Sequence, residues 1–195
     1  MKNNKIITLV GMTGSGKSLA ADYLQKQGFG FVRFGQVVMD ELKRKNLEPT
    51  EENEKPIREQ MRKDHGMAAM AVLNIPKFDK ILQEKNLVAD GLYSWSEYKK
   101  LKQYYQNKIL VVAIFAPPET RYKRLAQRKI KNKDKDLRNR PATYDQAHSR
   151  DYAEIENIEK GGPIAMADHT IVNTKKKTDL FHELDKIIKK EFPQQ

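Results

Sequence analysis

The chain of 195 residues contains no cysteine. That absence excludes a disulfide framework and any thiolate zinc site. Its four histidines have no metal-ligand spacing to make up for the missing thiols. Long apolar runs are also missing, since nothing approaches the ~20 residues that a membrane-spanning helix needs. The opening Met1-Lys2-Asn3-Asn4-Lys5 is basic, but only five apolar-rich residues separate it from Gly11, too few for a secretory leader. These absences predict a cytoplasmic protein that does not engage membranes. With 38% hydrophobic and 32% charged residues, the balance is that of a globular chain. Its length allows one substantial core and not two, so residues 1–195 are expected to form a single domain.

Charge is present in excess, at +11, and it is unevenly placed. Arg121 to Arg140 holds ten Lys or Arg against two Asp, a net of +8 in twenty residues. The remainder of the chain is nearly balanced. A cluster of this kind suits a polyphosphate as well as a nucleic acid, so a nucleic-acid partner is possible but is not the favoured reading.

Hydrophobic patterning alternates between strand and helix. Strands are predicted at 5–10, Phe29–Phe34, Asn86–Asp90, Lys108–Ala116 and His169–Asn173. Between them lie helices at Lys17–Gln27, Gln36–Lys45, 51–85 (with breaks near Gly66 and Pro76), Ser94–Tyr105, Glu119–Arg128, 143–160 and Leu180–Lys190. The near-continuous apolar run at Lys108–Ala116 suits a strand covered on both faces. The expected fold class is therefore α/β, a three-layer fold around a five-stranded parallel sheet. A helical insertion near 35–75 and a lid near 125–145 complete it, the latter because 129–142 is long, polar and irregular.

One motif carries the chemistry. Gly11-Met12-Thr13-Gly14-Ser15-Gly16-Lys17-Ser18 satisfies G-x-x-x-x-G-K-[ST], after a predicted strand and at the start of a predicted helix. The glycines let successive N–H groups of Gly11, Thr13, Gly14, Ser15 and Gly16 turn inward around phosphate oxygens. The helix adds the positive end of its dipole. Lys17 is expected to reach the β- and γ-phosphates and Ser18 to ligate magnesium, so ATP and Mg2+ are the expected cofactors. Asp90, closing the third strand, is placed to hold the magnesium shell or orient the acceptor. Arg121, Arg124 and Arg128 form a helical stripe leading into the basic loop, with Arg138, Arg140 and Arg150 beyond it. Of these, Arg128 is the expected catalytic arginine and Arg124 a donor contact. Arg58 and Arg62 share a helical face and can grip an acceptor phosphate.

As an ordered set, these segments resemble the nucleoside-monophosphate-kinase-like P-loop proteins, especially the adenylate-kinase-related and dephospho-CoA-kinase-like group. The resemblance runs from Ile6 to about Asn173. It includes Phe34-Gly35-Gln36-Val37-Val38, Asp90-Gly91-Leu92-Tyr93-Ser94, Arg150-Asp151 with Glu154, and Ala167 to Asn173. It implies an ATP-dependent phosphotransferase acting on a small nucleotide, with Asn173 and Thr174 near the donor base. Gly35, Arg58, Arg62, Asp90, Arg138 and Arg150 would lie on the acceptor side. Members usually carry an acid where Gln36 stands and an arginine at Met39 and Tyr93, so the acceptor site is altered here. Transfer to a ribose hydroxyl and a non-kinase P-loop NTPase are the competing readings. Either a monomer or a homodimer is compatible with the sequence.

Overall fold

The computed structural model describes residues 4–128 and 141–193. Five strands form one sheet: β1 (Ile6–Val10), β2 (Gly30–Arg33), β3 (Leu87–Asp90), β4 (Ile109–Phe115) and β5 (His169–Val172). They lie in the order β2-β3-β1-β4-β5, and every pairing is parallel. Nine helices surround the sheet among the described residues: α1 (Lys17–Lys26), α2 (Gln36–Arg44), α3 (Glu51–His65), α4 (Ala69–Leu82), α5 (Trp95–Tyr105), α6 (Pro118–Ala126), α7 (Tyr144–Ile158), α8 (Gly161–Ala165) and α9 (Lys177–Glu191).

The period-2 alternation of a strand sorts its residues onto two faces. Ile6, Val10, Leu87, Ala89, Val111 and Ala113 point to one side, where Met70, Ile75 and Phe78 of α4 and Leu101 and Tyr105 of α5 cover them. Ile7, Leu9, Val88, Val112 and Ile114 point to the other, under Ala20, Ala21 and Leu24 of α1 and Leu180, Leu184 and Ile187 of α9. This is the three-layer α/β arrangement expected from the alternation of elements. Among the described residues no helix is long and apolar enough to cross a membrane.

Two features depart from the sequence pattern. Pro76 does not break the second half of 51–85, because α4 runs through it. An interior proline costs about 3 kcal/mol, whereas burying each large apolar side chain contributes about 1.5–3 kcal/mol. Met70, Ile75 and Phe78, all buried on this one helix, outweigh the loss. The expected break at Gly66 is real, since that residue ends α3 at φ 77°. The second departure is α8, a short helix beyond the expected end of 143–160. The lid expected near 125–145 lies for the most part outside the described residues, as do Arg138 and Arg140.

A parallel sheet places all of its strand C-termini along one edge, where ligands of open α/β sheets bind. The loops leaving β1, β2, β3, β4 and β5 at Gly11, Phe34, Gly91, Ala116 and Asn173 therefore share a single rim.

Candidate active site

The loop Gly11–Ser18 leaves central strand β1 and feeds directly into α1. Gly11 sits at φ 144° and Gly16 at φ 111°, conformations that side chains resist. A Cβ on Gly11 would lie 2.3 Å from the Ile114 carbonyl oxygen of β4, so the loop is pressed against the sheet. Protein donors occupy its carbonyls. Lys17 Nζ donates to Gly11 O (2.8 Å) and Met12 O (3.2 Å), Arg121 Nη1 to Thr13 O (3.0 Å), and Asn173 Nδ2 to Ser15 O (2.7 Å). The N–H groups of Thr13, Gly14, Gly16, Lys17 and Ser18 have no hydrogen-bond partner among the described residues. Carbonyls held by the protein and N–H groups left over make a cradle for an anion.

Burial pushes the Lys17 ammonium down to about 7, and repulsion from Lys160 and Arg150 acts in the same direction. Asp90 and Glu154 pull against that shift. These five side chains are therefore close enough to form one electrostatic unit. Asp90 is buried at the end of β3, in register with Leu9 on one neighbouring strand and Arg33 on the other.

The loop is braced from β4, α6, α7 and β5. Arg121 is buried instead of facing outward on a stripe with Arg124 and Arg128. Its guanidinium holds Ala116 O (Nε, 3.0 Å) and Thr13 O, and pairs with Asp151 of α7 at 3.0 and 2.5 Å. Tyr122 also donates to Asp151 (2.9 Å). Arg124 donates from Nη2 to the Asn173 carbonyl (2.9 Å), while its Nη1 and the Ser15 hydroxyl are buried without a hydrogen-bond partner among the described residues. Asn173 thus packs against the loop backbone, within 2.2 Å of where a Gly16 Cβ would stand. Arg128 follows α6, with its N–H on Leu125 O (3.2 Å), at the border of the described residues.

On α7, Arg150 is half-exposed and donates from Nε to Glu154 Oε1 (2.9 Å). The other carboxylate oxygen accepts from Lys160 Nζ (2.5 Å), and Lys160 is fully buried with its ammonium 4.4 Å from the centre of the Tyr93 ring. Burial alone would raise Glu154, but Lys160 and Arg150 outweigh it and hold its carboxyl at about 2. Lys160 itself is lowered by burial, with Glu154 opposing. Beneath Tyr93, the buried Glu97 accepts from the N–H groups of Tyr93 (3.0 Å) and Ser94 (3.1 Å). Its carboxyl is pushed up to about 7 by burial, against those two bonds and nearby Arg62 and Lys160.

Of the residues expected on the acceptor side, Asp90 and Arg150 act electrostatically on Lys17, and Arg62 does so on Glu97. Arg58 is tied to Glu51 and Glu54 of its own helix. Gly35 caps the start of α2, with open space where a Cβ would stand. Gln36 is held by Asp40 (3.0 Å), which also pairs with Lys77 (3.0 Å). Sequence reasoning missed Glu97 and Lys160, and it named Asp151 without its pairing to Arg121. Glu97 had a signal in Ser94-x-x-Glu97, a capping box that opens α5. Lys160 had none, because its burial comes from α8 folding back until Gly162 lies against Trp95.

The match to known proteins fits this geometry. Residues 7–146 match the family model described as an AAA domain. A UPF0200 protein of Thermococcus gammatolerans is 32% identical over 187 residues, covering 95% of this chain and 94% of the relative. One from Pyrococcus abyssi is also 32% identical, over 95% and 96%. Among solved structures, TT1252 from Thermus thermophilus superposes with a TM-score of 0.63 at 17% identity, covering 97% of this chain and 98% of that one. Shikimate kinase from Acinetobacter baumannii gives 0.55 at 18%, over 95% and 93%. A gluconokinase from Sinorhizobium meliloti gives 0.55 at 12%, over 100% and 99%. At such identities the likeness is one of fold, a P-loop kinase-like fold. By sequence, the chain belongs to the UPF0200 family and carries an AAA domain of the P-loop type.

Proposed function

We propose that the chain is an ATP-dependent phosphotransferase that moves the γ-phosphate to a small nucleotide, foremost a nucleoside monophosphate. The observation that carries this reading is the set of N–H groups at Thr13, Gly14, Gly16, Lys17 and Ser18 without a hydrogen-bond partner among the described residues (that of Ser15 donates to Met12 O), with Lys17 in the same loop and the half-exposed Arg150 on α7. The cradle suits a triphosphate: its carbonyls at Gly11, Met12, Thr13 and Ser15 are already occupied, and the close approach of Gly11 to the Ile114 carbonyl leaves no room for a side chain there. Lys17 exchanges two carbonyl partners for β- and γ-phosphate oxygens, which return its proton affinity toward that of an ordinary lysine. Ser18 would hold Mg2+, with Asp90 in reach of its water shell, and the ion when bound neutralises phosphate charge. The chain's own contribution is positioning and fixed positive charge, not a covalent intermediate.

The half-exposed Arg150, backed by the buried Lys160, brings positive charge to the acceptor side, which favours an acceptor that is itself an anion. A phosphate acceptor presents a charged oxygen and needs no base. The second reading is transfer to a hydroxyl, and the buried Asp90 beside Lys17 favours it, because a carboxylate there can take the hydroxyl proton. A coupled ADP-release assay across nucleoside monophosphates and dephospho-CoA, run on the wild type and Asp90→Asn, separates the two. Turnover of a monophosphate that survives Asp90→Asn within about tenfold is expected. Turnover of dephospho-CoA alone, lost in Asp90→Asn, would overturn the phosphate-acceptor reading.

A further inference from the structure

We propose that Lys160 and Glu154 are positioning residues that keep Arg150 available as a clamp for a phosphate monoester on the acceptor, an inference that rests on the phosphotransfer reading. Lys160 is completely buried, and its ammonium has one hydrogen bond among the described residues, to Glu154, plus the face of Tyr93. A buried ion pair is a poor device for stability, since apolar side chains of similar volume do as well or better. Folding alone therefore gives little reason to place a lysine there.

The charge arrangement gives one. The two Glu154 oxygens are divided between Lys160 and the Nε of Arg150. Two cations share one carboxylate, so the group keeps a single positive charge, and Arg150 is its exposed member. Both terminal nitrogens of Arg150 are without hydrogen bonds among the described residues, leaving the bidentate edge of the guanidinium for a ligand. Without Lys160, Arg150 and Glu154 would be a neutral pair with little attraction for an anion. Arg150 precedes Asp151, whose carboxylate holds Arg121 on the Thr13 carbonyl, so α7 ties the clamp to the cradle and an acceptor phosphate held by it would adjoin the phosphate to be transferred. Tyr93 caps the lysine and separates it from that ligand, so Lys160 acts through Arg150.

The test uses inorganic phosphate as the probe, titrated into the full chain saturated with a non-hydrolysable ATP analogue. Binding is followed by calorimetry and by the emission of Trp95, the only tryptophan, which packs against Gly162. Lys160→Met is expected to weaken phosphate binding at least tenfold, while affinity for the ATP analogue stays within twofold. The double variant Lys160→Met/Glu154→Gln removes the carboxylate that would neutralise Arg150 and is expected to recover wild-type phosphate affinity within threefold. A merely structural role would give no such recovery. Unchanged phosphate affinity in a folded Lys160→Met, a double variant as weak as the single one, or no phosphate binding by the wild type would each overturn the inference. Absence of phosphotransfer to every acceptor, with these binding results intact, would instead count against the functional reading alone.

Discussion

Lys17 occupies an environment hostile to its own charge, and that sets its pH behaviour. Its folded pKa of about 7 lies below the ordinary 10.5. Between those values the unfolded chain binds more protons than the folded one, so this residue's contribution to stability improves as pH rises through that window. A bound triphosphate restores the ammonium, so ATP binding at pH 8 is expected to take up close to one proton per Lys17. Calorimetry in two buffers of different ionisation enthalpy measures this, and identical apparent enthalpies would contradict it. Lys17→Met is expected to fold at least as well as the wild type at pH 6.5 and to lose several kcal/mol of transition-state stabilisation, read as kcat/KM. Gly11→Ala combines a positive φ with a methyl driven against the Ile114 carbonyl, and nucleotide binding should be lost together with some thermal stability. The Gly11–Ser18 loop was legible in the sequence because such a loop is built from contiguous residues. Arg121 was not, because a helical stripe says nothing of an Asp151 partner thirty residues away.

Helices α6 and α7 hold the loop as a pair. The Arg121–Asp151 bridge is buried at both ends and joins α7 to the Thr13 carbonyl. Removing one member of such a pair strands the other charge, so Asp151→Ala is expected to cost about 3–5 kcal/mol in a denaturant melt. Glu154 behaves in the opposite sense to Lys17. Its folded pKa of about 2 lies below the ordinary 4.5, so its stabilisation is present above pH 4.5 and is lost as pH falls toward 2. Glu154→Gln should therefore narrow its stability deficit against wild type over that acid range. The same comparison shows what element patterns can tell. The periods of 2 and 3.6 located the five strands and most helices, since those periods are set by burial. Pro76 misled because local propensity yields to the buried face of α4. The short α8 escaped because Gly161-Gly162-Pro163 reads as a loop until Trp95 packs on it.

At the scale of the whole molecule, one topological fact organises the site. Parallel strands bring the Gly11 loop, Asp90 and Asn173 to a single rim although they lie up to 162 residues apart in sequence. Their ordered appearance along the chain made this rim readable in outline. Arg150 was expected on the acceptor side, but its grouping with Glu154, Lys160 and Tyr93 was not, because that depends on tertiary packing of α7 and α8. On the proposed function the cations gathered there bind a small anion, so any binding of RNA is expected to be weak and to fall steeply with added salt. Phosphotransfer itself is tested most directly by following label from γ-labelled ATP with a panel of nucleoside monophosphates. Label is expected in a nucleoside diphosphate, at a rate that depends on the acceptor and vanishes in Lys17→Met. Label released only as inorganic phosphate, equally fast with and without acceptor, would contradict the assignment.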